Sequence, residues 1–277
     1  MTTVTRDTLE ARLNDRLSEL RAQYGADTLR RVETFVALTT GRQSWPARDP
    51  LQNPELYFFP EITNRAWHDE PQSWMPRLEA AASEIRAELD GLLAKQQGFV
   101  PHVHGPDSAY RAEKFQMENM SERWTVYDLY QETAEQECPR TTTLLRELFR
   151  ADLGEPVTAQ FSVLRPGSHI APHCGVANFF LTAHLGLITP EGCRLRVGQE
   201  ARGWSAGKGV VFDDSFEHEV WHEGTETRIV LLARFWHPEL TREEIESVGA
   251  LHEIVIDQAG GNESDQRKAL EALRGVA

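Results

Sequence analysis

The sequence has few cysteines, and none of them has the spacing of a redox or zinc motif. Cys138, Cys174 and Cys193 are an odd number of cysteines without CxxC spacing. The first residues also lack the apolar segment of a secretory signal peptide. From these absences we expect a protein of a reducing compartment, the cytoplasm.

Positive charge and long apolar runs are also scarce. The chain has 29 Lys and Arg residues against 43 Asp and Glu residues, which gives a formal net charge of −14. Such a surface repels polyanions, and no basic block interrupts it, so we expect no nucleic acid polymer as a partner. Polar residues interrupt every apolar run well before the roughly 18 residues that a membrane span requires. We therefore expect no membrane partner either.

The first part of the chain has the pattern of helices. Leu9, Leu13, Leu17 and Leu20 recur at steps of three and four, which places them on one face of a helix. The prolines between 42 and 60 break this periodicity, and a further helix is predicted from Pro76. We divide this part into an N-terminal helical region, 1–56, and a segment, 57–157, of helical support that begins the catalytic domain.

The pattern changes near residue 158, where short segments rich in β-branched and aromatic residues begin. Pro and Gly separate these segments, which is typical of a sandwich or barrel. The predicted fold is mainly β, a double-stranded β-helix (jelly roll) core over 158–240 with the N-terminal helical region packed on it. The last region, 241–277, is predicted to hold a closing helix, which the capping-box pattern of Thr241 and Glu244 begins, and a polar tail from Gln258.

Two of the ten histidines stand beside strand-like sequence in the β region, namely His173 and His218. Non-haem iron sites commonly combine two histidines with one carboxylate and leave open positions. The carboxylate usually lies two residues after the first histidine, and that position here is Gly175. The histidines predicted to be solvated or hydrogen-bonded rather than ligands are His68, His102, His104, His222 and His252.

Three segments carry a resemblance to a known family. They are Pro172-His-Cys-Gly-Val-Ala-Asn178, the run from Gly207 to Trp221 that contains Phe-Asp-Asp-Ser-Phe-Glu-His-Glu-Val-Trp, and Trp236-His-Pro-Glu-Leu240. Together they resemble the catalytic domain of the aspartyl/asparaginyl β-hydroxylases, which are Fe(II)/2-oxoglutarate-dependent dioxygenases. The resemblance is densest between 161 and 240. In that family a glycine replaces the carboxylate ligand, so the resemblance accounts for Gly175.

The resemblance implies that His173 and His218 bind Fe(II), and that 2-oxoglutarate and dioxygen are the other reactants. Asp214 could hydrogen-bond a metal-bound water, or it could be a turn residue. Arg228 lies among Ile229, Val230 and Leu231, where an unpaired guanidinium would be costly to bury. It is therefore expected to pair with the distal carboxylate of 2-oxoglutarate.

By the same resemblance, Ser162 and His184 contact the cosubstrate and Trp124 lines its pocket. Packing in the core is an equally good interpretation of Trp124.

The substrate pocket departs from the family pattern. The family carries two arginines at the positions of Phe180 and Thr182, and an aspartate at the position of Arg234. Without those arginines an acidic side chain of a folded protein would lack its counter-charges. We therefore expect a small-molecule, amino-acid-like, or peptide or carrier-bound substrate, although Phe180 could also be a core residue.

Two other functions fit the same residues. The open position at Gly175 could accept chloride, which would make the protein a halogenase rather than a hydroxylase. The protein could also be a non-catalytic jelly-roll binding protein. Hydroxylation of an unactivated C–H bond is preferred, because it is the usual reaction of the family.

Overall fold

The computed structural model describes residues 6–95, 98–102, 113–115, 120–150 and 157–275. Two antiparallel sheets form the core, which confirms the predicted jelly roll. One sheet has six strands in the order β1-β2-β3-β10-β5-β8, and the other has four in the order β4-β9-β6-β7. The strands are β1 (Val100–Pro101), β2 (Trp124–Asp128), β3 (Thr158–Leu164), β4 (Ser168–His173), β5 (Phe180–Ile188), β6 (Cys193–Val197), β7 (Glu200–Arg202), β8 (Gly209–Phe212), β9 (His218–His222) and β10 (Arg228–Trp236).

Side chains from the two sheets meet in one apolar cluster. Leu164 and Phe212 come from the six-stranded sheet, and Ile170, Leu195 and Val220 come from the four-stranded sheet. Alternate residues of each strand point to opposite faces, so these strands can bury one face in the cluster. The cluster closes one part of the space between the sheets and leaves a cavity in another.

Helices cover the outer faces. They are α1 (Arg6–Tyr24), α2 (Arg30–Thr39), α3 (Met75–Ala80), α4 (Ala82–Lys95), α5 (Met120–Arg123), α6 (Ala134–Glu137), α7 (Pro139–Arg150), α8 (Arg242–Ala259) and α9 (Glu263–Arg274). Helices α4 and α7 bury Ile85 and Leu145 against the outer face of the six-stranded sheet. Helices α1, α2, α8 and α9 form a second apolar cluster with Phe59 and Phe179.

The leucine stripe of α1 is buried as the sequence predicted, with Leu9, Leu13 and Leu20 each 2% exposed. The capping box at Thr241 and Glu244 is also present, with both reciprocal hydrogen bonds formed. No helix in the described part of the chain is long and apolar enough to cross a membrane.

The polar tail expected from Gln258 contains a further helix that the sequence analysis did not predict. Residues 263–274 form α9, which Asn262 caps by accepting a hydrogen bond from the backbone N–H of Asp265. Leu270 and Leu273 are buried against α1 and α8. Their i,i+3 spacing is a narrow apolar stripe among charged residues, and only the tertiary contact makes it stable.

The division of the chain into four regions stays a prediction. The described strands β1 and β2 lie within 57–157 and add to the six-stranded sheet, because β2 pairs with β3 through Tyr127 and Phe161. The sheet therefore begins before residue 158.

Candidate metal and cosubstrate site

A cavity of about 260 Å³ opens between the two sheets. On the six-stranded side, β3, β10 and β5 lie next to one another and line the cavity with alternate residues. Arg234 pairs in register with Thr158 and Thr182, and Leu232 pairs with Gln160 and His184. Each set of register partners forms a row across the three strands, and the two rows are neighbours on the same face. Arg228 lies beyond them, at the start of β10. This wall therefore carries polar side chains at several levels along the cavity, with Leu232 among them.

His173 and His218 face each other from the four-stranded sheet. They are register partners at the ends of β4 and β9, and their ring centroids are 4.1 Å apart. The Nδ1 atom of His173 lies 2.8 Å from the carbonyl oxygen of Ala171, and that of His218 lies 2.9 Å from the carbonyl oxygen of Phe216. In the neutral ring, Nδ1–H donates to the carbonyl and leaves the Nε2 lone pair free for a metal.

Burial favours the neutral form of both rings. Burial is the largest cause that lowers the pKa of His173, and the neighbouring His218 lowers it further. Burial also lowers the pKa of His218, although the carboxylate of Asp214 opposes this. Neutral imidazole is the form that binds a metal ion.

Gly175 and Asp214 are in direct contact beside this pair. The backbone N–H of Gly175 donates to the carbonyl oxygen of Asp214 over 2.6 Å. A Cβ atom on residue 175 would lie 2.3 Å from Oδ1 of Asp214, which is far inside contact distance. The Asp214 carboxylate thus fills the space into which a side chain at 175 would project.

Two groups of the cavity wall hold Asp214 in this place. Thr182 donates through its hydroxyl to Oδ2 over 3.1 Å, and Arg234 donates to the same oxygen over 2.5 Å. Asp213 takes the alternative role of turn residue, because its Oδ1 accepts the backbone N–H of Ser215 over 2.9 Å. Because Asp213 serves the turn, the Asp214 side chain faces the cavity instead.

Arg234, which the sequence showed only as a departure from the family pattern, is one of the cations of this pocket. Its guanidinium lines the cavity from β10, directly across from Thr182 on β5. Its Nε is buried without a hydrogen-bond partner. The expectation that the pocket lacks the family's positive charges at Phe180 and Thr182 stays a prediction, and it did not take into account this arginine on the neighbouring strand, which pairs with Asp214.

Arg228 is 2% exposed and lies at the inner end of the cavity. Among the described residues no Asp or Glu lies within ion-pair distance of it, and its Nε has no hydrogen-bond partner. Its Nη1 makes long contacts with Ser162, 3.4 Å to the carbonyl oxygen and 3.5 Å to Oγ. The thiol of Cys193 also forms a hydrogen bond with the guanidinium. Burial lowers the pKa of the guanidinium, which nevertheless stays charged because arginine does not deprotonate in proteins.

Ser162 and Trp124 form one unit of the pocket. The indole N–H of Trp124 donates to Oγ of Ser162 over 3.1 Å. The ring of Trp124 also stacks on His102 with centroids 3.8 Å apart. Both residues line the cavity.

His184 and Trp204 form a second unit. The indole N–H of Trp204 donates to Nδ1 of His184 over 3.2 Å, whereas Nε2 of His184 is buried without a partner. Burial is the main cause that lowers the pKa of His184 well below its ordinary value, and Arg228 adds to it. The ring of Trp204 lies 5.0 Å from the guanidinium carbon of Arg228.

The structure thus brings nearly all predicted site residues to one cavity. These are Trp124, Ser162, His173, Gly175, Thr182, His184, Asp214, His218 and Arg228. Phe180 does not line it, because its ring packs on Phe179 and Trp236 with centroids 4.6 Å away in each case. Among the described residues, no group of three or more His, Cys, Asp or Glu is arranged to hold a metal ion.

Sequence reasoning also missed Lys114 and Phe115. Phe115 packs edge-on against His173 with centroids 4.7 Å apart. Lys114 lines the cavity and forms ion pairs with Glu55 at 2.7 Å and Glu263 at 3.4 Å. No local pattern marks these residues, whereas polar residues at every second position of β3 do mark the wall of a cavity.

Comparisons with known proteins agree with this geometry. The family model described as Aspartyl/Asparaginyl beta-hydroxylase matches residues 79–238. The aspartyl/asparaginyl beta-hydroxylase of Mus musculus is 37% identical over 142 residues, which are 48% of this chain and 19% of that protein. The chain thus spans about a fifth of its length.

Two shorter relatives match more of their own length. Aspartate beta-hydroxylase domain-containing protein 2 of Rattus norvegicus is 31% identical over 86% of this chain and 69% of that protein. The ornithine lipid ester-linked acyl 2-hydroxylase of Rhizobium tropici is 31% identical over 60% of this chain and 58% of that protein. On the family model and these relatives, the chain belongs to the aspartyl/asparaginyl beta-hydroxylase family.

Proposed function

We propose that this protein is an Fe(II)/2-oxoglutarate-dependent oxygenase that hydroxylates a C–H bond of its substrate. The observation that carries the proposal is the fully buried Arg228, which lacks an acidic partner among the described residues. An isolated buried charge costs several kcal/mol or more unless a counter-ion joins it. A carboxylate of a bound ligand supplies that counter-ion.

The donor set fits both implied groups. His173 and His218 offer two neutral Nε2 atoms, and two imidazoles with open positions suit non-haem iron. The unpartnered Nε2 of His184 and Nε of Arg228 suit the distal carboxylate of 2-oxoglutarate. When bound, Fe(II) and 2-oxoglutarate with dioxygen supply the oxidation, and 2-oxoglutarate is converted to succinate and carbon dioxide.

The residues of this chain orient the reactants. The carbonyl oxygens of Ala171 and Phe216 hold the two histidine rings in the tautomer that binds metal. Asp214, whose Oδ2 is held by Thr182 and Arg234, places a carboxylate beside the two histidines and could hydrogen-bond a metal-bound water. Phe115 covers one face of His173 and limits the access of water.

The substrate lies beside Thr158, Arg234 and Thr182, the last two of which hold Asp214. Arg234 has unused donors, so the substrate presents a hydrogen-bond acceptor to it. Relatives are named for aspartyl or asparaginyl and for lipid acyl hydroxylation. We propose a small-molecule, amino-acid-like, or peptide or carrier-bound substrate, and a cytoplasmic reaction, in accordance with three free cysteines.

Halogenation is not favoured by this geometry. A chloride ion at the open position would lie beside the carboxylate that already fills the space at Gly175. Two anions in contact inside a buried cavity repel each other, and the neighbouring Arg234 is already paired with Asp214. Asp214 therefore supports hydroxylation over chlorination.

The test is turnover of purified protein. Protein loaded anaerobically with Fe(II) is mixed with oxygen, 2-oxoglutarate and candidate substrates, with and without chloride, and succinate and product masses are measured. The proposal predicts succinate formation and a product heavier by one oxygen atom, with no effect of chloride. A chlorinated product, or no 2-oxoglutarate consumption with any substrate class, would contradict it.

A further inference from the structure

Trp204 lies in the turn between β7 and β8, outside the set of residues that contact the cavity directly. Its indole nevertheless contacts two of the residues proposed for the cosubstrate site. The N–H donates to Nδ1 of His184, and the ring face lies over the guanidinium of Arg228. One side chain therefore touches two groups of the cavity that each have a buried nitrogen atom without a partner.

The hydrogen bond decides where the proton of His184 lies. A neutral imidazole carries a single N–H, and the nitrogen that accepts a hydrogen bond cannot be the one that bears it. Burial keeps the ring neutral, since it lowers the pKa of His184 well below its ordinary value. Because Nδ1 accepts from Trp204, Nε2 carries the hydrogen and can only donate.

Trp124 acts on Ser162 in the same way. Oγ of Ser162 accepts from the indole of Trp124 over 3.1 Å, and Nη1 of Arg228 approaches it to 3.5 Å. Donors thus face the oxygen of the hydroxyl, and its hydrogen is available to donate to a ligand. Arg228 is always a donor.

We propose that Trp204 is a positioning residue that makes the inner end of the cavity a site of donors only, which accepts a carboxylate and rejects a carboxamide. A carboxylate has acceptors on both oxygens. A carboxamide presents an NH₂ group that finds no acceptor in such a site, and an unpaired buried donor weakens binding. The inference deepens the proposed function and rests on it.

The test compares two ligands that differ in one group. They are 2-oxoglutarate and 2-oxoglutaramate, in which a carboxamide replaces the distal carboxylate. Dissociation constants are measured by calorimetry on the full chain loaded with Mn(II), so that no turnover is needed. The wild-type protein is expected to prefer the carboxylate, and the ratio of the two dissociation constants is the readout.

The variant is Trp204→Phe, which keeps a ring over Arg228 and removes the N–H. Without that donor, His184 can move its hydrogen to Nδ1 and accept the amide N–H at Nε2. Loss of one hydrogen bond changes affinity by roughly fivefold to tenfold, so the ratio should fall by about that factor. A second variant, His184→Gln, can turn its amide either way and should lower the ratio whether or not Trp204 is present.

A matched control is Trp221→Phe. Trp221 stacks on His169 and contacts Arg194, away from the cavity, so its ratio should equal that of the wild type. Equal weakening of both ligands by Trp204→Phe, or no change, would overturn the role of Trp204 and leave the proposed function intact. Failure of the wild type to bind 2-oxoglutarate at all would overturn both.

Discussion

The carboxylate of Asp214 occupies the space that a side chain on Gly175 would need. A Cβ atom at 175 would approach Oδ1 to 2.3 Å and Cγ to 2.7 Å. In the usual iron triad the carboxylate belongs to the residue at this position. Here a different residue, from the turn before β9, places a carboxylate in the same region, while Thr182 and Arg234 hold it.

Gly175→Ala is expected to push Asp214 out of place. Overpacking of this kind costs about 1–3 kcal/mol of the free energy of unfolding, and it should also weaken binding of Mn(II). Denaturant unfolding and metal titration measure the two effects. Gly249→Ala is the control, because nothing lies within 4 Å of its Cβ position in α8, so that change should stabilise by about 0.5–1 kcal/mol. Equal changes in unfolding free energy and in Mn(II) affinity in the two variants would contradict the contact between Gly175 and Asp214.

Arg234→Gln removes the cation that holds Asp214. The carboxylate is buried, with a side-chain exposure of 5%, so its loss of a charged donor should cost about 1–3 kcal/mol of stability. The test is a double-mutant cycle with Asp214→Asn, in which the free energy of unfolding of each variant is measured by denaturant unfolding. If the ion pair accounts for the loss, Arg234→Gln lowers the free energy of unfolding much less in the Asp214→Asn background than in the wild type. Additive losses would show that Arg234 acts elsewhere.

Arg228→Leu should separate stability from binding. Removing an unpaired buried charge leaves the ligand-free protein at least as stable as before, in contrast to most buried substitutions. Saturating 2-oxoglutarate at 100 times its Kd should stabilise the Mn(II)-loaded wild type by about 2.7 kcal/mol, and the variant by far less. Thermal unfolding with and without 2-oxoglutarate measures both. A ligand-free variant that unfolds well below the wild type would indicate a structural role for Arg228.

Acid should destabilise the protein partly through His68. Burial is the first cause that lowers the pKa of His68 to about 4, and the adjacent His237 contributes. Between pH 6.5 and 4 the unfolded chain binds a proton that the folded chain does not, so stability falls as pH falls through this window. The contribution of His68 is about 1–3 kcal/mol at the acid end, since one pKa unit corresponds to 1.36 kcal/mol. His68→Gln should flatten that slope in unfolding measured from pH 7 to 4; an unchanged slope would contradict it.

His173 and His218 could be proposed from the sequence because they lie in dense local motifs, and Arg228 because it is a charged residue beside Ile229, Val230 and Leu231. Trp204 and Lys114 could not, since their role depends on which distant residues the fold brings to them. Arg234 was visible as a departure from the family pattern. Its place in the pocket could be recognised only from the strand register, because the pairing of Arg234 with Thr182 puts this arginine beside Thr182 on the neighbouring strand.

The alternation of polar residues along β3 was also available in the sequence and was not used. Thr158, Gln160 and Ser162 lie at every second position, and all three line the cavity. Helix α9 could not be predicted from its own residues, because its two buried leucines acquire their partners only in the folded protein.

The central claim is that His173, His218 and Arg228 form one site for a divalent metal and 2-oxoglutarate. The most direct test is calorimetric binding of 2-oxoglutarate, with and without Mn(II), to the wild type, His218→Ala and His222→Ala. His222 lies on the same strand as His218 and does not line the cavity. The account predicts that Mn(II) tightens 2-oxoglutarate binding in the wild type and in His222→Ala, and has no effect in His218→Ala. Equal metal dependence in the two variants would contradict it.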